Sequence, residues 1–151
     1  MSDASSASPT PTLASAPAGG AQALILVVER DPHVRDLESY FLTEAGYRVQ
    51  FAADGAAALE VARRERPAIV ITEILVPKLD GLALCRALKA DAGLGPVRVL
   101  VFSILAAAGR AREAGADAFL MKPLAERRLV DTVRELVSGR AAGPTPSLPV
   151  S

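Results

Sequence analysis

Five polar or charged side chains in this chain each follow a short apolar run: Glu29, Arg30, Glu73, Ser103 and Lys122. Brought together, two carboxylates, a guanidinium and an ammonium carry two negative and two positive charges, so the group balances without a metal ion. Charges that leave water are costly unless each one is paired and hydrogen-bonded. We therefore predict that Glu73 forms an ion pair with Lys122, with Arg30 or with both.

The apolar runs that end at these residues alternate with segments of helical spacing. This alternation predicts an α/β fold of about five β/α units with a mostly parallel sheet. Tyr47, Val49 and Phe51 alternate with polar residues, which predicts a strand at the sheet edge with one side partly wet. The predicted strands are residues 23–28, 47–51, 68–72, 97–102 and 118–121.

Two apolar stripes recur at helical spacing and predict the faces that two helices bury. Helix signals accompany them: Asp31, Asp54 and Asp80 are candidate N-caps, and Gly46 permits a left-handed exit. The open sheet of such a fold places its ligand at the carboxyl ends of the strands. No glycine-rich phosphate loop follows any strand, which argues against a nucleotide ligand. The stripes are Val34, Leu37, Phe41 and Ala45, and Leu129, Val133, Leu136 and Val137.

The length and composition predict one domain with tails. The chain has 151 residues, half of them apolar, and its 17 basic and 17 acidic side chains cancel, so nucleic acid and membranes are not expected partners. The segments 1–22 and 139–151 are rich in Ala, Ser, Pro and Gly and are predicted to be disordered, flanking a domain at 23–138. A single cysteine, Cys85, and the lack of an export signal fit a cytoplasmic protein.

The segment from Ile71 to Gly81, with Pro77 and Asp80 inside it, resembles the phosphorylation loop of a bacterial response-regulator receiver domain. The residues around Glu29 resemble the first acidic cluster of that family. The resemblance covers almost all of the predicted domain. It implies a flavodoxin-like, doubly wound (βα)5 fold with strand order 2-1-3-4-5.

The resemblance also implies a role for each site residue. Glu73 occupies the place of the phosphoacceptor Asp, and Glu29 and Arg30 occupy the places of the acid pair that holds Mg²⁺. Ser103 and Phe119 correspond to the switch residues, Lys122 to the lysine that binds phosphoryl oxygens, and Pro123 is a candidate for a cis peptide bond.

Two departures from the family pattern bear on metal binding and phosphorylation. Arg30 removes a ligand and adds a repulsive charge, so Mg²⁺ binding is expected to be weak or absent, with Glu29 and Glu73 the only candidate ligands. The Glu73 carboxylate reaches about 1.5 Å further out than that of Asp. A nucleophile displaced in this way loses its aligned approach to a phosphoryl group.

We therefore expect a stand-alone, non-enzymatic, atypical receiver in two-component or phosphorelay signal transduction that acts by protein–protein interaction independently of phosphorylation. Expected partners are a histidine kinase or a downstream effector, with a homodimer through the face of helix 4, strand 5 and helix 5 as a further possibility. The sequence between Ser103 and Ala114 is short for the family, which predicts a stunted fourth helix.

Several alternatives stay open at the level of sequence. The chain could be a working response regulator that a histidine kinase phosphorylates on Glu73 or on a nearby Asp, such as Asp31 or Asp80. It could be a flavodoxin-like binder of a small molecule. Arg30 could point to solvent. A Glu at position 73 could hold the receiver in either the active-like or the inactive-like state.

Overall fold

The structure is a computed structural model that describes residues 23–94, 96–123 and 125–139; apart from Gly139, both predicted tails lie outside these residues. The described strands and helices alternate along the chain. The strands are β1 (Leu24–Val28), β2 (Arg48–Ala52), β3 (Ile69–Thr72), β4 (Arg98–Ser103) and β5 (Ala118–Met121). The helices are α1 (Pro32–Glu44), α2 (Gly55–Glu65), α3 (Gly81–Ala90), α4 (Ala108–Glu113) and α5 (Glu126–Ser138), with a 3-10 turn at Ala92–Leu94.

The five strands form one parallel sheet in the order β2-β1-β3-β4-β5. This order confirms the predicted doubly wound, flavodoxin-like fold. The register aligns the strand ends, since Val28 pairs with Thr72 and Ser103 pairs with Met121. The residues that follow β1 and β3 therefore leave the sheet side by side, and so do those at the ends of β4 and β5.

Successive side chains of β1 point to opposite faces of the sheet, and both faces are covered. Ile25 and Val27 belong to one core cluster, while Leu26 and Val28 belong to the other. Because a parallel sheet with helices on both faces has no wet side, the residues in the middle of its inner strands are apolar. Among the described residues, no helix is long and apolar enough to cross a bilayer.

The predicted buried stripe of α1 is wrong at its centre. Leu37 is 46% exposed, whereas Glu38 and Leu42 are buried. Residues four apart share a helix face, so Val34, Glu38 and Leu42 form the row that turns toward the sheet. The prediction placed Leu37 inside because an apolar pattern does not count a glutamate as a core residue.

Strand β2 is an edge strand, as predicted, but its alternation fails at the last position. Phe51 is exposed and Ala52 is buried instead. The Arg35 guanidinium lies 5.8 Å from the centre of the Phe51 ring. A cation over the ring face stabilises an aromatic side chain that remains in contact with water.

The predicted helix caps are present. Asp31, Asp54 and Asp80 each accept a hydrogen bond from a backbone N–H in the first turn of α1, α2 and α3. Gly46 has a positive φ of 101° just after α1. Helix α4 spans six residues and has no side-chain cap, which agrees with the predicted stunted helix. This arrangement brings the carboxyl ends of β1, β3, β4 and β5 to the same edge of the sheet.

Candidate functional site

Lys122 joins two carboxylates at the carboxyl end of the sheet. Its Nζ lies 2.7 Å from Oε1 of Glu29 and 2.9 Å from Oε1 of Glu73. The three side chains are 11%, 4% and 5% exposed, in the order Lys122, Glu29, Glu73. The predicted ion pair between Glu73 and Lys122 is confirmed, and water screens it little because the group is almost fully covered.

The second oxygen of Glu73, Oε2, accepts three further hydrogen bonds. The backbone N–H groups of Ile74 and Leu75 donate to it at 2.7 Å and 3.2 Å, and the Ser103 hydroxyl donates to it as well. The Ser103 oxygen in turn accepts from the Leu105 N–H at 3.1 Å. The Lys122 ammonium, the Ser103 hydroxyl and two backbone N–H groups are therefore directed at the Glu73 carboxylate.

Backbone contacts hold the loop between β3 and α3 that presents Glu73. The Glu73 N–H donates to the Val28 carbonyl at 3.1 Å, and the Gly81 N–H donates to the Ile74 carbonyl at 2.9 Å. A Cβ on Gly81 would overlap the Glu73 carbonyl, and a Cβ on Gly55 would overlap the carbonyl of Leu79. The first residues of α2 and α3 thus clasp this loop, and only glycine permits so close an approach.

The pKa values follow from these contacts. Burial disfavours the charged form of Glu73, but hydrogen bonds from Ser103, Lys122 and the Leu75 N–H outweigh it and hold the Glu73 pKa below 4.5. Burial also disfavours charged Lys122, but its bonds to Glu29 and Glu73 raise the Lys122 pKa above 10.5. Both groups are therefore charged at neutral pH.

Arg30 does not join the site. Its side chain is exposed, and no described residue forms an ion pair with it. The predicted charge balance is wrong for this reason: Glu29, Glu73 and Lys122 sum to one negative charge. Backbone N–H groups take the place of the missing cation, since the Asp31 N–H donates to Oε2 of Glu29 at 3.0 Å.

The remaining predicted residues lie around this group. Phe119 is buried in the same core cluster as Ala107 and Ala111. The peptide bond between Lys122 and Pro123 is cis. Asp31 and Asp80 serve as helix caps, which gives their carboxylates a structural role.

The site does not fit a bound Mg²⁺. That ion needs several oxygen ligands at short distance with near-octahedral geometry. Here the Lys122 ammonium stands between Glu29 and Glu73, and an arginine follows Glu29 where a second carboxylate would be required. The described residues contain no group of three or more acidic, His or Cys side chains arranged to hold a metal ion.

Comparison with known proteins gives this geometry its family. The family model described as "Response regulator receiver domain" matches residues 25–134. This chain is a response regulator receiver domain. Receiver domains are signalling domains of two-component systems that interact with histidine kinases and effectors. The receiver is 36% identical over 114 residues to the response regulator MprA of Mycobacterium leprae, covering 75% of the chain and 50% of MprA, so it spans about half of that relative.

Solved receiver domains share the fold. One is the signal receiver domain of a histidine kinase from Syntrophus aciditrophicus, with a TM-score of 0.73 and 32% identity, covering 82% of this chain and 96% of that one. Another is the receiver domain of a sensor histidine kinase from Pseudomonas aeruginosa, with a TM-score of 0.71 and 26% identity, covering 78% and 98%. The latter is described with a magnesium ion coordinated in its active-site cleft.

Sequence reasoning missed one ionisable residue of this receiver. Glu38 is 1% exposed on the inner face of α1, and its Oε1 has no hydrogen-bond partner within the part of the chain that the structure describes. Burial, reinforced by the nearby charge of Glu29, raises the Glu38 pKa to about 8. A signal was available, because position 38 lies four residues from both Val34 and Leu42 on a predicted helix.

Proposed function

We propose that this receiver works independently of phosphorylation, as an interaction module held in one state by its own side chains. Its proposed partners are a histidine kinase or a downstream effector in a two-component or phosphorelay pathway. The proposed location is the cytoplasm, which the free, buried Cys85 fits. The family membership supports the signalling role, and the site geometry supports the independence from phosphate.

One observation carries the proposal: Glu73 already engages the groups that bind phosphoryl oxygens in the receiver family. Lys122 pairs with its Oε1, while Ser103 donates to its Oε2 together with two backbone N–H groups. A phosphoryl group on Glu73 would have to displace these bonds. Because the carboxylate is buried and fully hydrogen-bonded, that exchange would leave buried polar groups without partners.

The charges around Glu73 also disfavour phosphoryl transfer. In a receiver that accepts phosphate, Mg²⁺ offsets the negative charge that the phosphoryl group brings. The group of Glu29, Glu73 and Lys122 already carries a net negative charge, and Arg30 is exposed and forms no ion pair with either carboxylate. An incoming phosphoryl group would add negative charge to a low-dielectric site that holds a single ammonium.

We propose that the fixed state is the active-like one. The extended Glu73 carboxylate reaches both Ser103 and Lys122, which is the arrangement that a phosphorylated Asp would impose. Phe119, at the place of the family's switching aromatic, is buried. A Ser103→Ala substitution should loosen this state, which broadening or shift of the Phe119 ring resonances in NMR would reveal.

The face of α4, β5 and α5 is the proposed contact surface for an effector or a second copy of the chain. Met121 at the end of β5 is about half exposed. Arg110, Arg112, Arg127 and Arg128 are exposed on the flanking helices. An apolar side chain among arginines suits a protein partner with an acidic rim.

Phosphotransfer and magnesium titration test the proposed function. The native chain should take up no label from acetyl phosphate or from a cognate histidine kinase, and Mg²⁺ should not change its spectra in a saturable way. The double variant Arg30→Asp with Glu73→Asp should regain both properties, because it restores the acid pair and the shorter nucleophile. Glu60→Asp, an exposed change on α2, is the matched control.

Two results would overturn the proposal. One is label on the native chain that disappears in a Glu73→Gln variant, which would make this chain a working phosphoacceptor. The other is a partner, captured by pull-down with the native chain, whose binding strengthens when acetyl phosphate and Mg²⁺ are added. An affinity for the partner that does not change when acetyl phosphate and Mg²⁺ are added supports the proposal.

A further inference from the structure

Glu38 is a buried acid that neither the fold nor the proposed function uses. It lies on the sheet-facing side of α1 with an exposed fraction of 1%, and its Oε1 has no hydrogen-bond partner among the described residues. A buried carboxylate without partners is costly, whereas a buried carboxylic acid is tolerated. The surroundings of Glu38 therefore hold it in the neutral form.

Glu38 is electrostatically connected to the functional site. The charged groups that act on it are Glu29, Lys122 and Glu73, which stand at the ends of β1, β5 and β3. With Glu38 neutral, the site carries one negative charge. Loss of the Glu38 proton would bring a third carboxylate to a group with a single ammonium, and would double the net charge.

Glu29 and Lys122 are the charged groups on which this added charge would act most strongly. An ammonium has three N–H donors, and Lys122 already directs donors at Glu29 and Glu73. An ionised Glu38 would compete for the same cation. Glu29 would transmit the disturbance to α1, because its other oxygen accepts from the N–H of Asp31, the residue that caps this helix.

We propose that Glu38 makes this receiver pH-sensitive: the ion pairs of the site and the start of α1 are intact while the Glu38 carboxyl is protonated, and they weaken when it ionises. This goes beyond the proposed independence from phosphorylation and does not rest on it. The expected window follows from the pKa of Glu38, which is about 8 in the folded chain against an ordinary value of 4.5.

The raised pKa of Glu38 means that the free energy of unfolding should fall as the pH rises. Between pH 4.5 and about pH 8 the folded chain keeps a proton that the unfolded chain has released. Stability from this group is therefore lost as the pH rises, by up to about tenfold in the folding equilibrium constant for each pH unit in the window. Above the folded pKa the loss is complete and the slope from Glu38 vanishes.

NMR titration of the full chain from about pH 6 to about pH 10 tests the proposal. The resonance of the Glu38 side-chain carboxyl carbon should shift with a midpoint near pH 8. The amide signals of Ile74 and Leu75, which donate to Glu73, should move with the same midpoint. In Glu38→Gln these amides should stay still, and in Glu44→Gln, an exposed change on the same helix, they should move as in the native chain.

Two outcomes would overturn it. A Glu38 midpoint near the ordinary 4.5 would show that burial does not hold the proton. Amide shifts in Glu38→Gln that match the native titration would assign the effect to another group. The native titration decides the matter by itself if the glutamine variant does not fold. Neither outcome touches the phosphotransfer test, so the two proposals fail separately.

Discussion

The two ends of the sheet each hold a cluster of charges, and the clusters differ in how many partners each charge has. At the amino ends of β4 and β5, Asp117 accepts from Lys89 Nζ at 2.7 Å and from the Val99 N–H at 2.8 Å, and Arg98 lies 3.6 Å from its other oxygen. Lys89 also donates to the Val97 carbonyl at 3.0 Å. This cluster can lose either cation and keep the Asp117 carboxylate paired with the other.

The cluster at the carboxyl ends has no second cation of this kind among the described residues. Glu29 and Glu73 depend on Lys122, since no other described cation lies within ion-pair distance of either carboxylate. It is also drier, because Lys122 is 11% exposed against 26% for Lys89. Each cluster carries one net charge, positive at the amino ends and negative at the carboxyl ends. Only the second holds its net charge almost out of contact with water, which is a property of many functional sites.

Removal of Lys122 should have the largest effect on stability. In Lys122→Met two buried carboxylates remain without a cation, which should lower the free energy of unfolding by about 3 to 5 kcal/mol. Urea unfolding at neutral pH measures the loss. A loss below that of Lys89→Met would contradict the asymmetry between the two ends.

Neutralisation of Glu73 should have the next largest effect, of about 1 to 3 kcal/mol at neutral pH, because Lys122 keeps Glu29 as a partner. The Glu73 pKa lies below its ordinary 4.5, so its stabilisation is present above pH 4.5 and is lost as the pH falls through the folded pKa. Glu73→Gln should lack this acid-dependent component. Unfolding curves of both chains at several acidic pH values compare the slopes, and identical slopes would refute the prediction.

At the other end of the sheet, Lys89→Met should reduce the free energy of unfolding by about 1 to 2 kcal/mol, because Asp117 retains Arg98 and the Val99 N–H. Thermal unfolding followed by circular dichroism is a sufficient measurement. Arg63→Met is a suitable control, because Arg63 forms a surface ion pair with Asp91. If Lys89→Met lowers the free energy of unfolding as much as Lys122→Met does, Arg98 does not compensate for the loss of Lys89, and the prediction is wrong.

Arg30→Ala should have the smallest effect, within about 0.5 kcal/mol, because the side chain is exposed and joins neither cluster. The same urea experiment suffices. A larger loss would mean that the guanidinium does balance the charge of the site, as the sequence suggested, and would return Arg30 to the carboxyl-end cluster.

Local signals allowed most of the fold to be predicted. The strand bounds differ from the predicted ones by at most one residue at either end, and Asp31, Asp54 and Asp80 cap helices as expected. These features depend on a few neighbouring residues, which the sequence displays directly. The meeting of Glu29, Glu73, Ser103 and Lys122 was predictable too, because parallel strands bring their carboxyl ends to one edge.

Side-chain direction beyond a strand end was not predictable. Arg30 adjoins Glu29, and the chain turns into α1 there, so that one side chain enters the site and the other faces water. The burial of Glu38 was missed for a related reason, since its position on the helix face suggests the core while its carboxyl suggests solvent. In both cases tertiary packing decides between two local preferences that the sequence leaves in conflict.

The two glycines that clasp the loop after β3 hold it through backbone contacts that do not require a particular side chain at position 73. Gly55 and Gly81 admit the carbonyls of Leu79 and Glu73 by virtue of having no side chain, and neither contact involves the Glu73 carboxylate. Exchange of the side chain at position 73 therefore leaves both of these backbone contacts in place. Protein engineers could exploit this by exchanging residue 73, together with residue 30 where a response to phosphate is wanted, to obtain silent, permanently signalling or phosphate-responsive versions of one fold.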